Sequence, residues 1–449
     1  MYAFVRLLSR LYVRAWYRVE VAGEPFPARG PLLVAGNHTN GLMDVALLIE
    51  RAPRPLRFLA KFKLFEVPLI GHLARGIRAI PVYRKKDGVP TELNQSSFEA
   101  VFAALAAGEA VVVFPEGESG TSHRLRAPLR TGIARMALGA AAEGTSRVRI
   151  LPLGIHLHDR DRFRSRLELR VGAPFGMEEH VAEFRADPRA AVPRLMEKVE
   201  AALRAVGPDL RDDEDLAVLR LARGAWRWPG GAHHARLARL TEGLAEERAR
   251  DAARCDARAH AAEELLARMH RRGLDPESLA RGAGEPLAVG LGLAAAPIAA
   301  LAALVWGVPA WIGRWVARRA APPDKFVTVT ALVTPLAGTL FFAALAAGAA
   351  LAGRTLLAAG LVPGAWLLLA AWPIATGAWR RAWARLAALG SADLRAALEE
   401  LLAGLGDDPK AECRPESPRP IRGHSLRSKG CKTQDHPSIR PDPQSPSTS

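Results

Sequence analysis

Short apolar runs alternate with stretches of helical periodicity through the first part of the chain. Five apolar runs have the length and composition of buried strands: residues 31–36, 77–83, 109–114, 148–156 and 166–172. Apolar residues recur at helical spacing over residues 43–51, 94–107 and 130–142. This alternation predicts an α/β fold with a central mixed sheet flanked by helices, which we assign to residues 25–206.

A basic amphipathic helix is predicted ahead of this domain, over residues 1–24. Large apolar residues cluster on one face, and arginines recur every fourth residue on another, at Arg6, Arg10, Arg14 and Arg18. Two interpretations are open: the helix packs on its own domain, or it docks at a membrane interface. The arginines interrupt the apolar residues, so no secretory signal is expected here.

The second half of the chain is predicted to be helical and partly embedded in a membrane. Residues 207–280 form a charged helical segment broken at 228–231, and a membrane region follows over residues 281–385. Its three uncharged segments, 286–313, 326–353 and 355–379, each exceed the roughly 20 residues that span a bilayer. A short helix over 386–406 precedes a tail, 407–449, whose composition predicts disorder.

Basic residues around the apolar segments predict their orientation. The loop before residue 326 is rich in arginine and lysine, as is the segment after residue 379, whereas the middle loop carries only Arg354. Basic flanks prefer the cytoplasmic side, so the 326–379 hairpin is expected to begin and end inside. We expect residues 286–313 not to cross, because Pro297 can break this segment into two short helices.

Charge and cysteine content narrow the classes of function. The formal net charge of +16 indicates a polyanionic partner, and the apolar segments favour an anionic membrane over nucleic acid. We find no nucleic-acid motif, no zinc-ligand spacing and no Walker loop. The three cysteines are far apart and predict no disulfide framework.

The candidate chemistry lies where two predicted strands end. His38 and Asp44 follow the apolar run 32–35, and a histidine with a carboxylate on its other ring nitrogen is a general-base pair. On one continuous helix the two would lie about 120° apart, so they converge only across a turn, which Gly41 permits. Residues 115–120 follow the second run, 110–114, in the same way. Two strand ends of this kind can share one crevice.

Four blocks in order resemble those of the glycerolipid acyltransferase family, whose members acylate glycerol-3-phosphate or lysophosphatidic acid. The blocks are Asn37-His38-Thr39-Asn40-Gly41-Leu42-Met43-Asp44, Ala79-Ile80-Pro81-Val82-Tyr83-Arg84, Pro115-Glu116-Gly117-Glu118-Ser119-Gly120 and Ile150-Leu151-Pro152-Leu153. The resemblance covers roughly residues 32–172. The branch of fungal-type glycerol-3-phosphate acyltransferases is the most similar, since it shares the spacing of the first block and the form of the third.

Three departures from the common family pattern bear on the choice of acceptor. The first block has five residues between His38 and Asp44 where four are usual. Arg78 stands where a glycine is usual in the second block. Glu118 and Ser119 follow Gly117 where most members carry Thr-Arg, so the phosphate-binding arginine of that block is absent.

The resemblance implies a role for each matching residue. His38 would be the base and Asp44 would orient it, and no nucleophile is needed because a thioester is already activated. Arg84 is the family-matched phosphate ligand, and Arg130 is a second candidate near a helix start. Glu116 would contact acceptor hydroxyls or hold its own turn through backbone amides. Gly117 would admit ligand or take a positive φ, and Ser119 would contact phosphate or cap the turn.

The resemblance implies a membrane-bound enzyme with its catalytic domain on the cytoplasmic face. It would transfer a fatty acyl group from acyl-CoA or acyl-carrier protein to the sn-1 hydroxyl of glycerol-3-phosphate, without metal or cofactor. The expected partners are therefore membrane lipids, the acyl donor and the phosphorylated glycerol acceptor. Sn-2 acylation of lysophosphatidic acid is the first alternative. A non-catalytic lipid-binding adaptor is the second, because the altered spacing of the first block raises the question whether the histidine–aspartate pair still forms.

Overall fold

The structure is a computed structural model that describes residues 1–68, 70–84, 88, 90, 93–120, 124–157, 165–207, 215–225, 233–276, 279, 286–321, 325–403 and 405. The predicted break at 228–231 and the predicted tail 407–449 lie outside these residues.

A seven-stranded mixed sheet forms the centre of the first domain. Its strands are β1 (Tyr17–Gly23), β2 (Leu32–Gly36), β3 (Leu56–Lys61), β4 (Ile80–Val82), β5 (Ala110–Val113), β6 (Arg149–Leu157) and β7 (Ser165–Val171). They lie in the order β1-β7-β6-β2-β5-β3-β4. The run from β6 to β4 is parallel, whereas β7 pairs with β6 in the antiparallel sense and with β1 in the parallel sense. The predicted α/β class with a mixed sheet is confirmed.

Helices cover both faces of this sheet. They are α1 (Tyr2–Trp16), α2 (Leu42–Arg51), α3 (Ile70–Gly76), α4 (Asn94–Ala106), α5 (Gly132–Ala142), α6 (Glu178–Ala186) and α7 (Pro188–Val206). One apolar cluster joins the sheet to α4, α5 and α7, and a second joins it to α1 and α2. Strands β2 and β5 are buried along their whole length, as expected of parallel strands covered on both faces. Because both of their faces are buried, the sequences of β2 and β5 are continuously apolar rather than alternating.

Two strands escaped the sequence prediction, and one predicted helix was too long. The N-terminal helix ends at Trp16 rather than near residue 24, and residues Tyr17–Gly23 form β1 at the edge of the sheet. Strand β3 lies in a stretch that we had left unassigned. The first domain therefore includes residues that the predicted boundary at 25 excluded.

The second half of the chain is helical in the residues described. Its helices are α8 (Leu216–Ala225), α9 (His233–Arg250), α10 (Ala252–Arg271), α11 (Pro286–Ala294), α12 (Ala296–Ala320), α13 (Phe326–Leu351), α14 (Thr355–Leu389) and α15 (Ala392–Leu402). An apolar cluster joins α8, α9, α10 and α15 to the end of α14.

The apolar helices differ in one respect from the prediction. Residues 286–313 were expected to form two short helices, but the break falls at Ala295 and α12 runs on for 25 residues. Within the described residues, Val289–Ala320 and Thr328–Leu351 are long and apolar enough to cross a membrane. Thr355–Leu369 is a shorter apolar stretch.

Candidate active site

The carboxyl ends of β2 and β5 bring the two candidate motifs together. These strands are parallel neighbours, with Ala35 opposite Val113. His38 lies just beyond the end of β2, and Glu116 lies just beyond the end of β5. Ligands of open α/β sheets bind beyond the carboxyl ends of the strands, so this edge is where a site is expected.

His38 and Asp44 form a direct pair despite the additional residue between them. The Nδ1 atom of His38 lies 2.9 Å from Oδ2 of Asp44. The Asp44 side chain is fully buried, while that of His38 is 17% exposed. A carboxylate accepts hydrogen bonds only, so Nδ1 carries the proton and Nε2 is left with the basic lone pair. This arrangement suits proton abstraction from a substrate hydroxyl.

A tight turn holds Asp44 in place. Its Oδ2 atom also accepts hydrogen bonds from the backbone amides of Thr39 and Asn40, at 2.9 and 2.8 Å. Gly41 precedes α2 with a φ of 47°, a left-handed conformation that glycine adopts without steric cost. Asp44 lies in the first turn of α2, where the helix dipole favours a negative charge. The turn thus shortens the six-residue separation to contact distance.

The loop after β5 clamps the backbone of His38 from both sides. Oε1 of Glu116 accepts the amide of His38 at 2.8 Å, and the amide of Gly120 donates to the carbonyl of His38 at 2.9 Å. Burial raises the pKa of Glu116, while hydrogen bonds from the backbone amides of His38 and Arg126 oppose that rise. The contacts observed for Glu116 are therefore with backbone amides, one in the histidine turn and one at Arg126 in the connection after β5. A contact with acceptor hydroxyls stays a prediction.

Two further residues position His38, and sequence reasoning had not assigned a role to either. The ring of Phe114 stacks on the imidazole with centroids 4.1 Å apart and planes within 10°. The side-chain amide of Asn37 bonds the backbone of Ile155 twice, at 2.9 and 2.6 Å, which ties the start of the histidine turn to β6. Asn37 opens the first block and Phe114 directly precedes the third, so their place in the sequence could have indicated these roles.

The candidate phosphate ligands lie around Gly117. Arg84 follows β4 and lies 3.9 Å from Oε1 of Glu118, and Arg126 lies 3.6 Å from Oε2 of the same carboxylate. Gly117 has a φ of 76°, and the Cγ atom of Arg130 lies against it, 3.2 Å from where a Cβ would be. Ser119 is half-buried in the same loop.

The arginine in the second block has a structural explanation. Arg78 adopts a φ of 56°, in the left-handed region that glycine tolerates and other residues rarely enter. This left-handed backbone conformation explains why glycine is usual at this position of the second block. Arg78 also forms an ion pair with Glu109 at 2.7 Å, away from the histidine.

Comparison with known proteins agrees with this geometry. Residues 18–156 match the family model described as Acyltransferase. This part of the chain is an acyltransferase domain. The match begins inside β1 and ends inside β6, so it contains both halves of the candidate site.

Relatives of the acyltransferase domain occur in fungi and bacteria. The glycerol-3-phosphate O-acyltransferase 2 of Saccharomyces cerevisiae is 37% identical over 132 residues, which are 29% of this chain and 18% of the yeast protein. An uncharacterized protein of Mycobacterium tuberculosis is 38% identical over 130 residues, which are 27% of this chain and 32% of that protein. The match therefore spans a third or less of these relatives' length. The crystal structure of the 1-acyl-sn-glycerophosphate acyltransferase from Thermotoga maritima aligns with a TM-score of 0.33 and 19% identity, over 46% of this chain and 78% of that one.

Proposed function

We propose that the chain transfers a fatty acyl group from acyl-CoA or acyl-carrier protein to the sn-1 hydroxyl of glycerol-3-phosphate. The observation that carries this proposal is the His38–Asp44 pair, held by Glu116 at the carboxyl edge of an acyltransferase domain. The similarity to the yeast glycerol-3-phosphate enzyme supports the choice of acceptor.

In the proposed reaction the acyl group passes directly from the thioester to the acceptor hydroxyl. The acceptor hydroxyl donates its proton to Nε2 of His38 while its oxygen attacks the thioester carbonyl. The C–S bond breaks as the new C–O bond forms, and the leaving sulfur takes the proton from the imidazolium. Asp44 stabilises the imidazolium and keeps the ring in the required tautomer. No enzyme nucleophile takes part.

Arg84 is proposed to hold the phosphate of the acceptor. Its side chain is only 19% exposed, and a guanidinium fork can make two charge-assisted hydrogen bonds to one phosphate. Arg130 is the second candidate, because its stem lies against Gly117 beside the histidine turn.

A membrane location is part of the proposal. Two described helices have the length and composition of membrane spans, and the exposed residues of α12 and α13 include many large apolar side chains. An acyl product is a lipid, so an enzyme that is held at the bilayer releases it where it dissolves. We propose that the acyltransferase domain lies on the cytoplasmic face, where soluble acyl donors occur.

The test is an acyl-transfer assay on the full chain, purified in lipid, with glycerol-3-phosphate and lysophosphatidic acid as competing acceptors. Acylation of glycerol-3-phosphate at sn-1 is expected, and a matched His38→Ala protein serves as the control. Preference for lysophosphatidic acid would support the alternative reaction. Absence of transfer to either acceptor by a folded wild-type protein would favour a lipid-binding adaptor.

A further inference from the structure

We propose that Glu118 determines the affinity for the acceptor: its carboxylate bridges Arg84 and Arg126 and competes with the acceptor's phosphate for them. The proposal deepens the proposed function and rests on it, since it assumes a phosphorylated acceptor. Glu118 follows Gly117 in the loop after β5.

The geometry places one carboxylate between two guanidinium groups from different parts of the chain. Oε1 of Glu118 lies 3.9 Å from Nη1 of Arg84, and Oε2 lies 3.6 Å from Nη1 of Arg126. Arg84 follows β4, whereas Arg126 lies in the connection between β5 and α5. Each carboxylate oxygen therefore faces one arginine, as two oxygens of a phosphate would.

These contacts are poorly suited to a purely structural role. Both distances exceed the roughly 3.2 Å limit of an ordinary hydrogen bond, and Glu118 and Arg126 are 38% and 50% exposed. Exposed ion pairs of this kind add little to folding stability. Arg84 differs, because a guanidinium that is only 19% exposed needs an anion nearby. Glu118 supplies negative charge at that place before any substrate binds.

Carboxylate and phosphate are recognised by the same guanidinium fork. A phosphate that binds Arg84 must therefore displace Glu118 or bind beside a like charge, and either event weakens binding. The His38–Asp44 pair does not depend on this carboxylate, because Glu116 rather than Glu118 accepts the amide of His38. The effect is expected in acceptor binding, before the chemical step.

The experiment compares wild type with Glu118→Gln, which keeps the shape of the side chain and removes its charge. Inorganic phosphate and glycerol-3-phosphate are titrated separately into the full chain in lipid, and thermal stabilisation gives the Kd of each. We expect both Kd values to fall about three- to tenfold in Glu118→Gln, and the KM for the phosphorylated acceptor to fall with them while kcat stays unchanged. Glu20→Gln is the matched control, because Glu20 forms an equally loose ion pair with Arg166, at 3.9 Å on strand β1.

A second comparison assigns the effect to Arg84. In an Arg84→Ala background, Glu118→Gln should change the Kd for phosphate much less than it does in the wild-type background. The reason is that Glu118 is proposed to act by competing with phosphate for Arg84, which this background lacks. Unchanged or higher Kd values in Glu118→Gln, or phosphate binding by neither protein, would overturn the proposal. Binding is measured without acyl donor, so it decides the role of Glu118 even if no acceptor is acylated and the proposed function fails.

Discussion

At the scale of single residues, His38 carries the proposed chemistry without supporting the core. Its side chain projects from a strand-end turn, is 17% exposed and belongs to neither apolar cluster of the sheet, so its replacement leaves both clusters intact. We expect His38→Ala to reduce kcat/KM by about 10²- to 10⁴-fold and to leave the unfolding transition in place. Asp44→Asn should cost somewhat less, since the ring loses orientation rather than its base. Steady-state kinetics with circular dichroism check both, and full turnover by folded His38→Ala would refute the assignment.

Arg84 and Arg130 separate two models of the phosphate site. We expect Arg84→Ala to raise the KM for the phosphorylated acceptor about tenfold or more, because a half-buried charge-assisted contact is lost. Arg130→Ala is the comparison, since its exposed side chain lies against Gly117. Kinetics with the acceptor varied at saturating acyl donor measure both. If only Arg130→Ala weakens acceptor use, the phosphate site belongs at the start of α5.

Arg78 offers a stability prediction that is independent of catalysis. Arg78→Gly removes a left-handed conformation that costs a non-glycine residue about 1 kcal/mol, and it also removes an exposed ion pair of small value. We expect the free energy of unfolding to stay level or to rise by up to about 1 kcal/mol. Arg78→Ala keeps the unfavourable conformation and loses the ion pair, so it should be the less stable of the two. Denaturant titration compares them, and a Gly variant less stable than the Ala variant would contradict this account.

The sequence predicted contacts between residues of one motif. Contacts between residues that are far apart in the sequence were not predicted. The pairing of His38 with Asp44 follows from motif and turn, and the structure shows it at 2.9 Å. The clamp from Glu116 to the amide of His38 joins the loops that follow two different strands, so only the register of β2 and β5 reveals it. The stacking of Phe114 on His38 has the same origin. The sequence placed these residues near one another without fixing their contacts.

At the scale of elements, α1 is amphipathic in an unusual sense. A surface helix ordinarily packs its apolar face on the domain and exposes its charged face. Its arginines partly face the domain: Arg6 donates to the carbonyl of Ala52 at 3.0 Å, and Arg14 pairs with Glu50 at 3.4 Å. The apolar residues on its outer side are exposed instead, namely Phe4, Leu7, Leu8 and Leu11. An exposed apolar stripe of this kind, in a chain with two helices long and apolar enough to cross a membrane, favours contact with lipid.

This stripe gives a direct prediction. A polarity-sensitive dye on Leu11→Cys, in a chain whose native cysteines are replaced by serine, should be quenched by lipids that carry a quencher on their acyl chains. The same dye on Glu143→Cys, an exposed site after α5, is the control and should be quenched far less. Equal quenching at both sites, measured by fluorescence in vesicles, would show that α1 faces water.

The strands that prediction missed differ in why they were missed. Strand β1 does show the alternation of an edge strand, Tyr-Arg-Val-Glu-Val, but the four-residue arginine repeat extends to Arg18 and favours a longer helix. Strand β3 carries Arg57 and Lys61 among its six residues, and these charges interrupt its apolar run. Tertiary pairing decides both, through β7 for the first and β5 for the second.

At the scale of the whole molecule, the contacts of the apolar helices bear on how the chain is threaded. Phe326, the first residue of α13, packs against the apolar cluster that α1 and α2 form with the sheet. This end of α13 therefore lies beside the acyltransferase domain. Trp306 contacts both Phe342 and Ala365, so α13 and the first part of α14 fold back on each other. The loop at Arg354 is the far end of that hairpin.

Residues 289–320, which precede α13, have both ends near elements on the side of the acyltransferase domain. Gly292 lies close against Ala378 and Ala382, near the end of α14 that leads back to the helical cluster of α8, α9, α10 and α15. The other end of the segment, Ala320, leads directly to the domain side of α13. Both ends thus approach elements on one side of the helices. The hairpin of α13 and α14 therefore begins and ends on this side, and α12, which is itself long enough to cross a membrane, reaches the same side at Ala320.

The final prediction concerns this topology, for which charge and packing give the same answer. Arg314, Arg318 and Arg319 flank the domain end of the hairpin, while only Arg354 marks the far end, and basic flanks prefer the cytoplasm. We expect a membrane-impermeant thiol reagent, added outside intact cells, to modify Ala352→Cys and not Ala320→Cys in a cysteine-free chain. Both positions are exposed in the structure, so access to either is limited by the bilayer alone. Permeabilised cells, in which both should react, provide the control. Modification of Ala320→Cys from outside would reverse the hairpin and place the acyltransferase domain on the outer face.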